Sequence, residues 1–363
     1  MSWDWTAETR KALQEFLIGH DILSGPITTR GIGDGHSNLT FLVTGGDTSV
    51  VVRRPPPPPL PPGANDMLRE ATLLTALHST AVPVPEVLAV AQAGEVLDVP
   101  FYVMSFAPGP VVTARTPAPL DTPDQRRSIG YSMIDTLADL HEVDWRAVGL
   151  ERLGRPEGFN ARHLDRMRRL VADEQGAPPP DFADVDAWLA ANTPPESDAA
   201  LVHCDFRIGN VVLAPDAPGR IRAVLDWELA TIGDPLLDVG YLLATVPEPG
   251  RSMNPTAELG AALLEDGYPS KDELVQRYRD RTGRDLKDLA WYTTLALWKL
   301  AVLYEYSRRR VLDGIGDPYY SDPALVQRFL EDARRAAGSA AADATRRQSR
   351  DSTRHACPHK EFR

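Results

Sequence analysis

The segment LVHCDFRIGNVVLAPDAPGRIRAVLDWE, residues 201–228, restricts the possible folds of this chain more than any other. Two short apolar runs, 211–213 and 221–225, flank a stretch of proline, aspartate and glycine that is typical of a turn. The segment therefore predicts a β-hairpin. In a hairpin, residues equidistant from the turn face each other, so the spacing also predicts which side chains meet at its open end.

Three oxygen-bearing side chains are expected to converge there. Asn210 and Asp226 are equidistant from Pro218, and Asp205 lies on the loop that enters the first strand. Such oxygens suit Mg²⁺, which is commonly bound by one or two carboxylates together with substrate phosphates. The spare carboxylate could accept a proton from an attacking hydroxyl. An aspartate-rich hairpin end can equally be solvated surface or a helix cap, and a short motif alone does not separate these interpretations.

The order of these residues resembles the aminoglycoside phosphotransferase family, which has a protein-kinase-like fold. HCDFRIGN is similar to the HxDxxxxN catalytic loop of that family, and LDWE is similar to its counterpart of the kinase DFG motif. The resemblance implies that Asp205 is the catalytic base and that Asn210 and Asp226 hold magnesium, and we place Arg207 of the same loop among the catalytic residues. The family usually has glycine where this chain has Cys204, a difference that removes no ligand.

A second site of resemblance lies near the N-terminus. LTFLVTGGDTSVVVRR, residues 39–54, predicts two strands joined by a tight turn, and a proline run then ends the sheet before a helix. The resemblance implies that Arg53 and Glu70 are the cation and the glutamate that grip the nucleotide phosphates. Arginine replaces the usual lysine and keeps phosphate contacts. Two alternatives are a surface ion pair of little energy and an inward-facing Arg54 in place of Arg53.

Two further stretches are assigned to nucleotide binding. TRGIGDGHSN is a glycine-rich bend whose backbone N–H groups could approach phosphate oxygens. Residues 82–109 predict two strands that run into a hinge, and the resemblance implies that the hinge backbone pairs with adenine. The alternative for the glycine-rich bend is a plain loop, and the alternative for the hinge is a core strand that ends in a Pro-Gly turn. The residues expected to contact the nucleotide are Gly33, Gly35, Ser37, Asn38, Met104, Ser105 and Ala107.

The fold class expected from the resemblance is α+β: a bilobal protein-kinase-like fold with a β-rich N-lobe and a mainly helical C-lobe. We expect the N-lobe at 1–104, the hinge at 105–109 and the C-lobe at 110–337. The segment 338–363 lacks hydrophobic periodicity and is expected to be disordered.

Two polar residues in the C-lobe are assigned structural roles. His141 ends an apolar helical stretch and is interpreted as a core or capping histidine rather than a catalyst. Asp234 precedes a proline at the start of an apolar helix, and the resemblance implies that it orders the magnesium loop.

Composition excludes several classes of protein. A formal net charge of -12 argues against a partner nucleic acid held through its phosphates. No apolar run approaches the length of a membrane span, and the N-terminus lacks the pattern of a signal peptide. Two cysteines cannot form a disulfide framework. The sequence therefore predicts a cytoplasmic enzyme that binds neither membrane nor nucleic acid, and it leaves the oligomeric state open.

The function expected is transfer of the γ-phosphoryl group of ATP, with Mg²⁺, to a hydroxyl of a small molecule. VVRRPP followed by a helix carrying Arg-Glu resembles the branch found alone in bacteria and fused to acyl-CoA dehydrogenases in animals. Arg162, Arg166 and Arg169 share one helix face, which could dock an anionic acceptor such as a hydroxyacyl-CoA, although a solvated face is the common alternative. Arg162, Arg166 and Glu228 are assigned to acceptor binding. The alternative functions are an aminoglycoside kinase, a catalytically silent nucleotide-binding module and a metal-dependent phosphohydrolase.

Overall fold

An antiparallel sheet forms the N-terminal part of the computed structural model, which describes residues 5–32, 38–56, 65–217 and 219–354, the last 15 of these by their backbone alone. Helix α1 precedes the sheet in sequence, and α2 lies between its third and fourth strands. The strand order is β1-β2-β3-β5-β4. The elements are α1 (Ala7–Gly19), β1 (Ile27–Gly31), β2 (Leu39–Gly45), β3 (Thr48–Arg54), α2 (Met67–Leu77), β4 (Val87–Ala91) and β5 (Phe101–Ser105).

Alternation along β3 assigns its side chains to two different cores. Val50 and Val52 pack toward α1, whereas Val51 belongs to the larger core that includes α2 and the C-terminal helices. Because successive side chains of a strand point to opposite faces, Arg53 lies on the same face as Val51, and Arg54 lies on the α1 face. The sheet therefore presents Arg53 to the rest of the molecule.

The segment that opened the sequence analysis forms the expected hairpin, with a different register. Its strands are β7 (Val211–Leu213) and β8 (Ile221–Val224), and Val211 pairs with Val224. The N–H of Leu225 donates to the carbonyl of Asn210 over 2.8 Å, so Asn210 faces Leu225 and not Asp226 as predicted. Leu213 pairs with Ile221, so the hairpin is centred one residue earlier than Pro218, and an extra residue in β8 at the irregularity between Val212 and Leu213 offsets this only in part.

Helices dominate the remainder of the chain, as expected, and two short strands, β6 and β9, pair in a small sheet of their own. The most extensive packing between helices joins α9 to α6 and to α10. Gly240 permits the close approach of α6, because a Cβ there would lie 2.6 Å from the carbonyl carbon of Tyr292 on α9. The elements are α3 (Pro123–His141), α4 (Phe159–Arg169), α5 (Ala183–Ala191), β6 (Ala200–Val202), β9 (Thr231–Gly233), α6 (Leu236–Thr245), α7 (Pro255–Glu258), α8 (Lys271–Thr282), α9 (Leu289–Leu312) and α10 (Pro323–Arg354).

The last helix is longer than the sequence predicted. It was expected to end at residue 337, with no regular structure beyond, but α10 continues to Arg354. Alanine and arginine, which are frequent in this segment, have high helix propensity and sustain the helix without an apolar stripe. Residues 355–363 lie outside the described part of the chain. Across the described residues, no helix has the length and apolar character that crossing a membrane requires.

Candidate active site

A buried carboxylate on α6 holds the loop that carries Asp205. Oδ2 of Asp238 accepts from the N–H of His203 over 2.7 Å, and Oδ1 accepts from the N–H of Cys204 over 2.7 Å. Burial raises the pKa of Asp238, but hydrogen bonds and electrostatic interactions with His141 and His203 outweigh burial and lower that pKa below its ordinary value. The carboxylate is therefore ionised at neutral pH and anchors the backbone on both sides of Cys204.

His141 completes this anchor, which agrees with its interpretation as a core residue. Its Nε2 lies 3.2 Å from Oδ2 of Asp238, and its Nδ1 lies 2.7 Å from the hydroxyl of Tyr278. Asp234, expected to order the magnesium loop, has a different role. It accepts hydrogen bonds from Ser197 and Tyr292 and so ties β9 to α9. The sequence reasoning missed Asp238, although an aspartate inside the apolar run LLDVGYLL was the available signal.

Cys204 occupies a conformation that favours glycine. Its φ is +67°, in the left-handed region, which explains why glycine is usual at this place in the family that the loop resembles. Its carbonyl accepts a hydrogen bond of 3.2 Å from Nζ of Lys299 on α9. Burial raises the pKa of the Cys204 thiol to about 12, so this side chain is a neutral thiol that fills space.

Both carboxylate oxygens of Asp205 are held by neighbouring donors. The hydroxyl of Tyr241 donates to Oδ1, and Nδ2 of Asn210 donates to Oδ2 over 2.8 Å. Nε of Arg207 lies 3.6 Å from Oδ1. Burial and the negative charge of Asp205 raise the pKa of Tyr241 well above its ordinary value, so Tyr241 remains a proton donor to the carboxylate. The carboxylate is thus held in one orientation by donors of the protein itself.

Arg53 is the centre of a second charged cluster, which joins the sheet to the hairpin. Its Nε lies 3.2 Å from Oε2 of Glu70, and one terminal nitrogen lies 2.7 Å from Oδ1 of Asp226. Glu70 is 2% exposed, so this pair is buried and is not the surface pair considered as an alternative. Burial lowers the pKa of Arg53, but Glu70, Tyr102 and Asp226 outweigh burial and raise it, so the guanidinium stays charged.

Asp226 reaches this cluster through an unusual backbone conformation. Its φ is +68°, in the left-handed region, which turns the chain sharply after β8 and directs the carboxylate toward Arg53. Arg54, the alternative cation, lies on the opposite face of the sheet. Its guanidinium stacks 5.1 Å from the ring centroid of Trp5 and 5.6 Å from that of Phe41. Of the two arginines, the structure therefore brings Arg53 to the site.

Glu228, which was assigned to the acceptor, contacts the same cluster and the sheet. Its Oε2 accepts from Nδ2 of Asn38 over 2.7 Å and is 3.7 Å from Arg53. Nearby, Arg69 of α2 donates to the backbone carbonyls of Leu153, Glu228 and Ala230. These contacts hold α2, and with it Glu70, against the segment that follows Asp226.

The residues expected at the nucleotide base lie at the end of β5. Met104 is buried, but the N–H of Ser105 donates to the carbonyl of Glu86 over 2.8 Å, so sheet pairing uses the donor that we assigned to adenine. Ala107 follows beyond the strand. Gly109 then passes so close to the hairpin that a Cβ would lie 2.0 Å from the carbonyl oxygen of Leu213. Gly33, Gly35 and Ser37 lie outside the described residues.

The arginine face of α4 does not act as one unit. Arg162 donates both terminal nitrogens to the carbonyls of Arg155 and Glu157, in the turn that precedes its own helix. It was assigned to the acceptor, but its N–H groups satisfy a local loop that has no side-chain cap. Arg166 and Arg169 are exposed.

The donor set fits Mg²⁺. The N–H groups of Asn210 are used by the Asp205 carboxylate and carbonyl, which leaves the amide oxygen as its possible ligand atom, and Asp226 contributes a carboxylate. Among the described residues, no group of three or more His, Cys, Asp and Glu could hold a metal. One amide and one carboxylate, completed by phosphate oxygens and water, match the way Mg²⁺ is bound in phosphoryl-transfer enzymes.

The loop with Asp205 and Asn210, the carboxylate of Asp226 and the buried Arg53–Glu70 pair on a five-stranded sheet have the composition of a kinase-like phosphotransferase site. The chain belongs to the phosphotransferase enzyme family abbreviated APH, whose family model matches residues 28–274.

Curated relatives are described as acyl-CoA dehydrogenases. Acyl-CoA dehydrogenase family member 11 of Gallus gallus is 33% identical over 297 residues, 80% of this chain and 38% of that protein. Family member 10 of Mus musculus is 27% identical over 84% of this chain and 28% of that protein. This chain therefore spans little more than a third of the length of the first relative and less than a third of the second.

Solved structures show the same fold. A protein of Ralstonia eutropha JMP134, provisionally described as an aminoglycoside phosphotransferase, is 27% identical with a TM-score of 0.72, covering 90% of this chain and 98% of that one. A thermostable mutant of aminoglycoside phosphotransferase APH(4)-Ia, in ternary complex with AMP-PNP and hygromycin B, is 17% identical with a TM-score of 0.57, again over 90% and 98%. The expected protein-kinase-like α+β fold is confirmed.

Proposed function

We propose that this chain catalyses transfer of the γ-phosphoryl group of ATP, with Mg²⁺, to a hydroxyl group of a small molecule in the cytoplasm. The observation that carries the proposal is the arrangement around Asp205: a carboxylate oriented by Tyr241 and Asn210, on a loop anchored by Asp238. A carboxylate held in this way can orient a hydroxyl and accept its proton as the oxygen attacks phosphorus. Positioning of this kind supplies much of the acceleration in phosphoryl transfer.

The other charged residues have complementary roles. Arg53, held by Glu70, binds the nucleotide phosphates, and Asn210 and Asp226 hold the magnesium ion, which supplies charge stabilisation at the transferred phosphoryl group. Arg207 lies beside Asp205, where a cation can neutralise negative charge that develops on the phosphoryl oxygens. Asn38, Met104 and Ala107, with Gly33, Gly35 and Ser37, remain our proposed nucleotide contacts.

The decisive test replaces the base. We expect Asp205→Ala to abolish phosphoryl transfer while AMP-PNP binding stays within about twofold of wild type, since Asp205 acts on the acceptor and not on the nucleotide. Asp216→Ala, at the exposed turn of the same hairpin, is the matched control. Transfer is measured by mass spectrometry of a hydroxyl-metabolite panel incubated with Mg-ATP, and nucleotide binding by calorimetry. Full turnover with lost nucleotide affinity would contradict the assigned role.

The acceptor is the finer part of the proposal. We propose a hydroxyacyl-CoA type of metabolite, which is supported by the relatives described as acyl-CoA dehydrogenases and by the Arg-bearing helix α4. An aminoglycoside acceptor is supported by the hygromycin B complex of a protein with the same fold. The metabolite panel therefore includes hydroxyacyl-CoA thioesters and hygromycin B. A silent nucleotide-binding module would bind Mg-AMP-PNP and phosphorylate neither class.

A further inference from the structure

Arg53 stands where lysine is usual in the family, and the shape of its side chain gives it a second contact. Its Nε lies 3.2 Å from Oε2 of Glu70, while a terminal nitrogen of the same guanidinium donates to Oδ1 of Asp226 over 2.7 Å. The first is an ionic contact, since neither of its two atoms has a hydrogen-bond partner among the described residues. The directed hydrogen bond of Arg53 therefore goes to the aspartate that follows the hairpin and not to the glutamate of α2.

A guanidinium group and an ammonium group differ in what they can hold. The N–H groups of arginine form a rigid planar fork, so once Nε faces Glu70 the direction of the terminal nitrogen toward Asp226 is fixed. A lysine side chain is shorter, and its ammonium group rotates and has no fixed direction. The Arg53 side chain is 11% exposed, so the surrounding protein keeps it in this orientation. Arginine can thus orient a second carboxylate and still serve as a cation for the nucleotide phosphates.

The backbone on either side of Asp226 is fixed by other contacts, but these contacts do not set its side chain. The N–H of Leu225 bonds to the carbonyl of Asn210, and the buried indole of Trp227 donates to a backbone carbonyl of β8 over 2.9 Å. Between them, Asp226 has a φ of +68°, a conformation that residues other than glycine adopt at a cost. Its carboxylate is 35% exposed and accepts its hydrogen bond from Arg53. The orientation of this carboxylate therefore depends on the guanidinium.

The orientation of Asp226 determines how well its carboxylate can bind Mg²⁺. Arg53 occupies Oδ1, and a carboxylate can bind Mg²⁺ through one oxygen, so Oδ2 can take the ion while Oδ1 stays bonded. Glu228 lies 3.7 Å from the same guanidinium, whose charge offsets the repulsion between the two carboxylates. A side chain that is already held in place loses less conformational freedom when its ligand binds. The Arg53 contact is therefore expected to raise the affinity for the ion.

We propose that Arg53 is a positioning residue for the magnesium ligand Asp226 as well as a phosphate contact, and that arginine replaces lysine because the guanidinium reaches Glu70 and Asp226 together. This inference rests on the proposed function and specifies how its metal ligand is oriented. The contacts run from Glu70 on α2 to Arg53 on β3 and then to Asp226. The placement of α2 and the affinity for magnesium are therefore coupled.

The test measures AMP-PNP binding by calorimetry at a series of free Mg²⁺ concentrations, without turnover. Each variant gives two quantities: the Mg²⁺ midpoint, which is the concentration at half-maximal AMP-PNP binding, and the AMP-PNP affinity at saturating Mg²⁺. We expect Arg53→Lys to raise the midpoint about tenfold through loss of a charge-assisted hydrogen bond. The affinity at saturating Mg²⁺ should stay within about threefold of wild type, because lysine keeps the positive charge. Arg54→Lys, on the opposite face of the same strand, is the matched control and should change neither quantity.

Two further variants test the route by which Arg53 acts. Asp226→Asn removes the carboxylate, so in that background Arg53→Lys should change the midpoint by less than about twofold if it acts through Asp226. Glu70→Gln keeps the shape of its side chain and leaves Arg53 in place, and it should raise the midpoint about threefold by loosening the guanidinium. This variant tests the same route if thermal unfolding shows that Arg53→Lys is not folded.

The proposal is overturned if Arg53→Lys leaves the Mg²⁺ midpoint unchanged, lowers it, or weakens AMP-PNP binding equally at every Mg²⁺ concentration. A lowered midpoint would mean that Arg53 competes with the ion for Asp226, and an equal loss would mean that Arg53 contacts phosphate alone. Because binding is measured, the inference can stand although no metabolite is phosphorylated. Conversely, Mg²⁺-dependent transfer by a protein whose midpoint does not respond to Arg53→Lys would remove the positioning role and leave the phosphotransferase intact.

Discussion

The substitution Tyr241→Phe removes a hydroxyl group that orients Asp205 and leaves the Asp205 carboxylate in place. It therefore measures how much the orientation of this proposed base contributes to the rate. The Tyr241 hydroxyl donates to Oδ1 of Asp205, while the ring packs in the core with 5% exposure, so phenylalanine preserves the packing. A hydrogen bond to a charged group contributes roughly 1.5–3 kcal/mol. The side chain of Asp205 is 19% exposed, so water can partly replace the lost donor, and a loss of about 1–2 kcal/mol is reasonable.

The expected result is a fall in kcat of about fivefold to thirtyfold, because each ~1.4 kcal/mol of lost transition-state stabilisation is tenfold in rate. The KM for ATP should not change, since the hydroxyl of Tyr241 bonds to Asp205, which we propose acts on the acceptor and not on the nucleotide. Steady-state kinetics with the acceptor found by the mass-spectrometric screen measure both constants. Tyr268→Phe is the matched control: it removes a hydroxyl that bonds to Thr116, on another face of the C-terminal part.

Two results would refute this reasoning about Tyr241. An unchanged kcat would mean that Asn210 alone orients the carboxylate. A rise in the KM for ATP as large as the fall in kcat would mean that the substitution disturbs the whole loop. The thermal unfolding temperatures of the two Tyr→Phe variants are compared as a control, and equal values show that the fall in kcat does not come from a loss of folded protein.

The remaining predictions concern the loop and its anchor. Cys204→Val should lower the free energy of unfolding by about 2 kcal/mol, because a β-branched residue is strained at positive φ, whereas Cys204→Gly should stay within about 1 kcal/mol of wild type in urea denaturation. Asp238→Asn should cost about 3 kcal/mol, since one of the two backbone donors would then face an amide nitrogen in place of a carboxylate oxygen. The folded pKa of Asp238 is lowered, so its stabilisation is present above the unfolded pKa of about 4 and is lost as pH falls through the folded value. Urea midpoints that show the same acid dependence in wild type and Asp238→Asn would contradict that linkage.

Local patterns predicted most of the site, because its chemistry-bearing residues sit in two short segments. The loop with Asp205 and Asn210, the hairpin, and the strand that ends with Arg53 all follow from turn residues and alternation. The register of the hairpin did not follow, since its turn is centred one residue earlier than predicted and an extra residue in β8 offsets this only in part, so that Asn210 faces Leu225. Alternation also left Arg53 and Arg54 undecided, because only the position of α1 distinguishes the two faces.

Contacts between distant parts of the chain were beyond local patterns. Glu228 meets Asn38 across a separation of 190 residues, and Asp238 meets the backbone of His203 across 35. Sequence spacing has no means of choosing among the many possible partners of a polar group at such distances. Along α4, spacing grouped Arg162 with Arg166, but Arg162 bonds to the carbonyls of Arg155 and Glu157 in the preceding turn, whereas Arg166 is exposed.

The residues proposed to act in the reaction are close in sequence, whereas the residues that orient them come from distant elements, and this difference has a physical basis. Groups that touch phosphate, metal or hydroxyl must be close together, and a loop and hairpin achieve this at low entropic cost, so they are near in sequence. Their orientation must also survive thermal motion, and that requires rigid support from separate elements. Asp238, Tyr241 and Lys299 come from α6 and α9, whose close packing Gly240 permits. An enlarged side chain at Gly240 would therefore displace the anchors of Asp205 together, without touching a catalytic group.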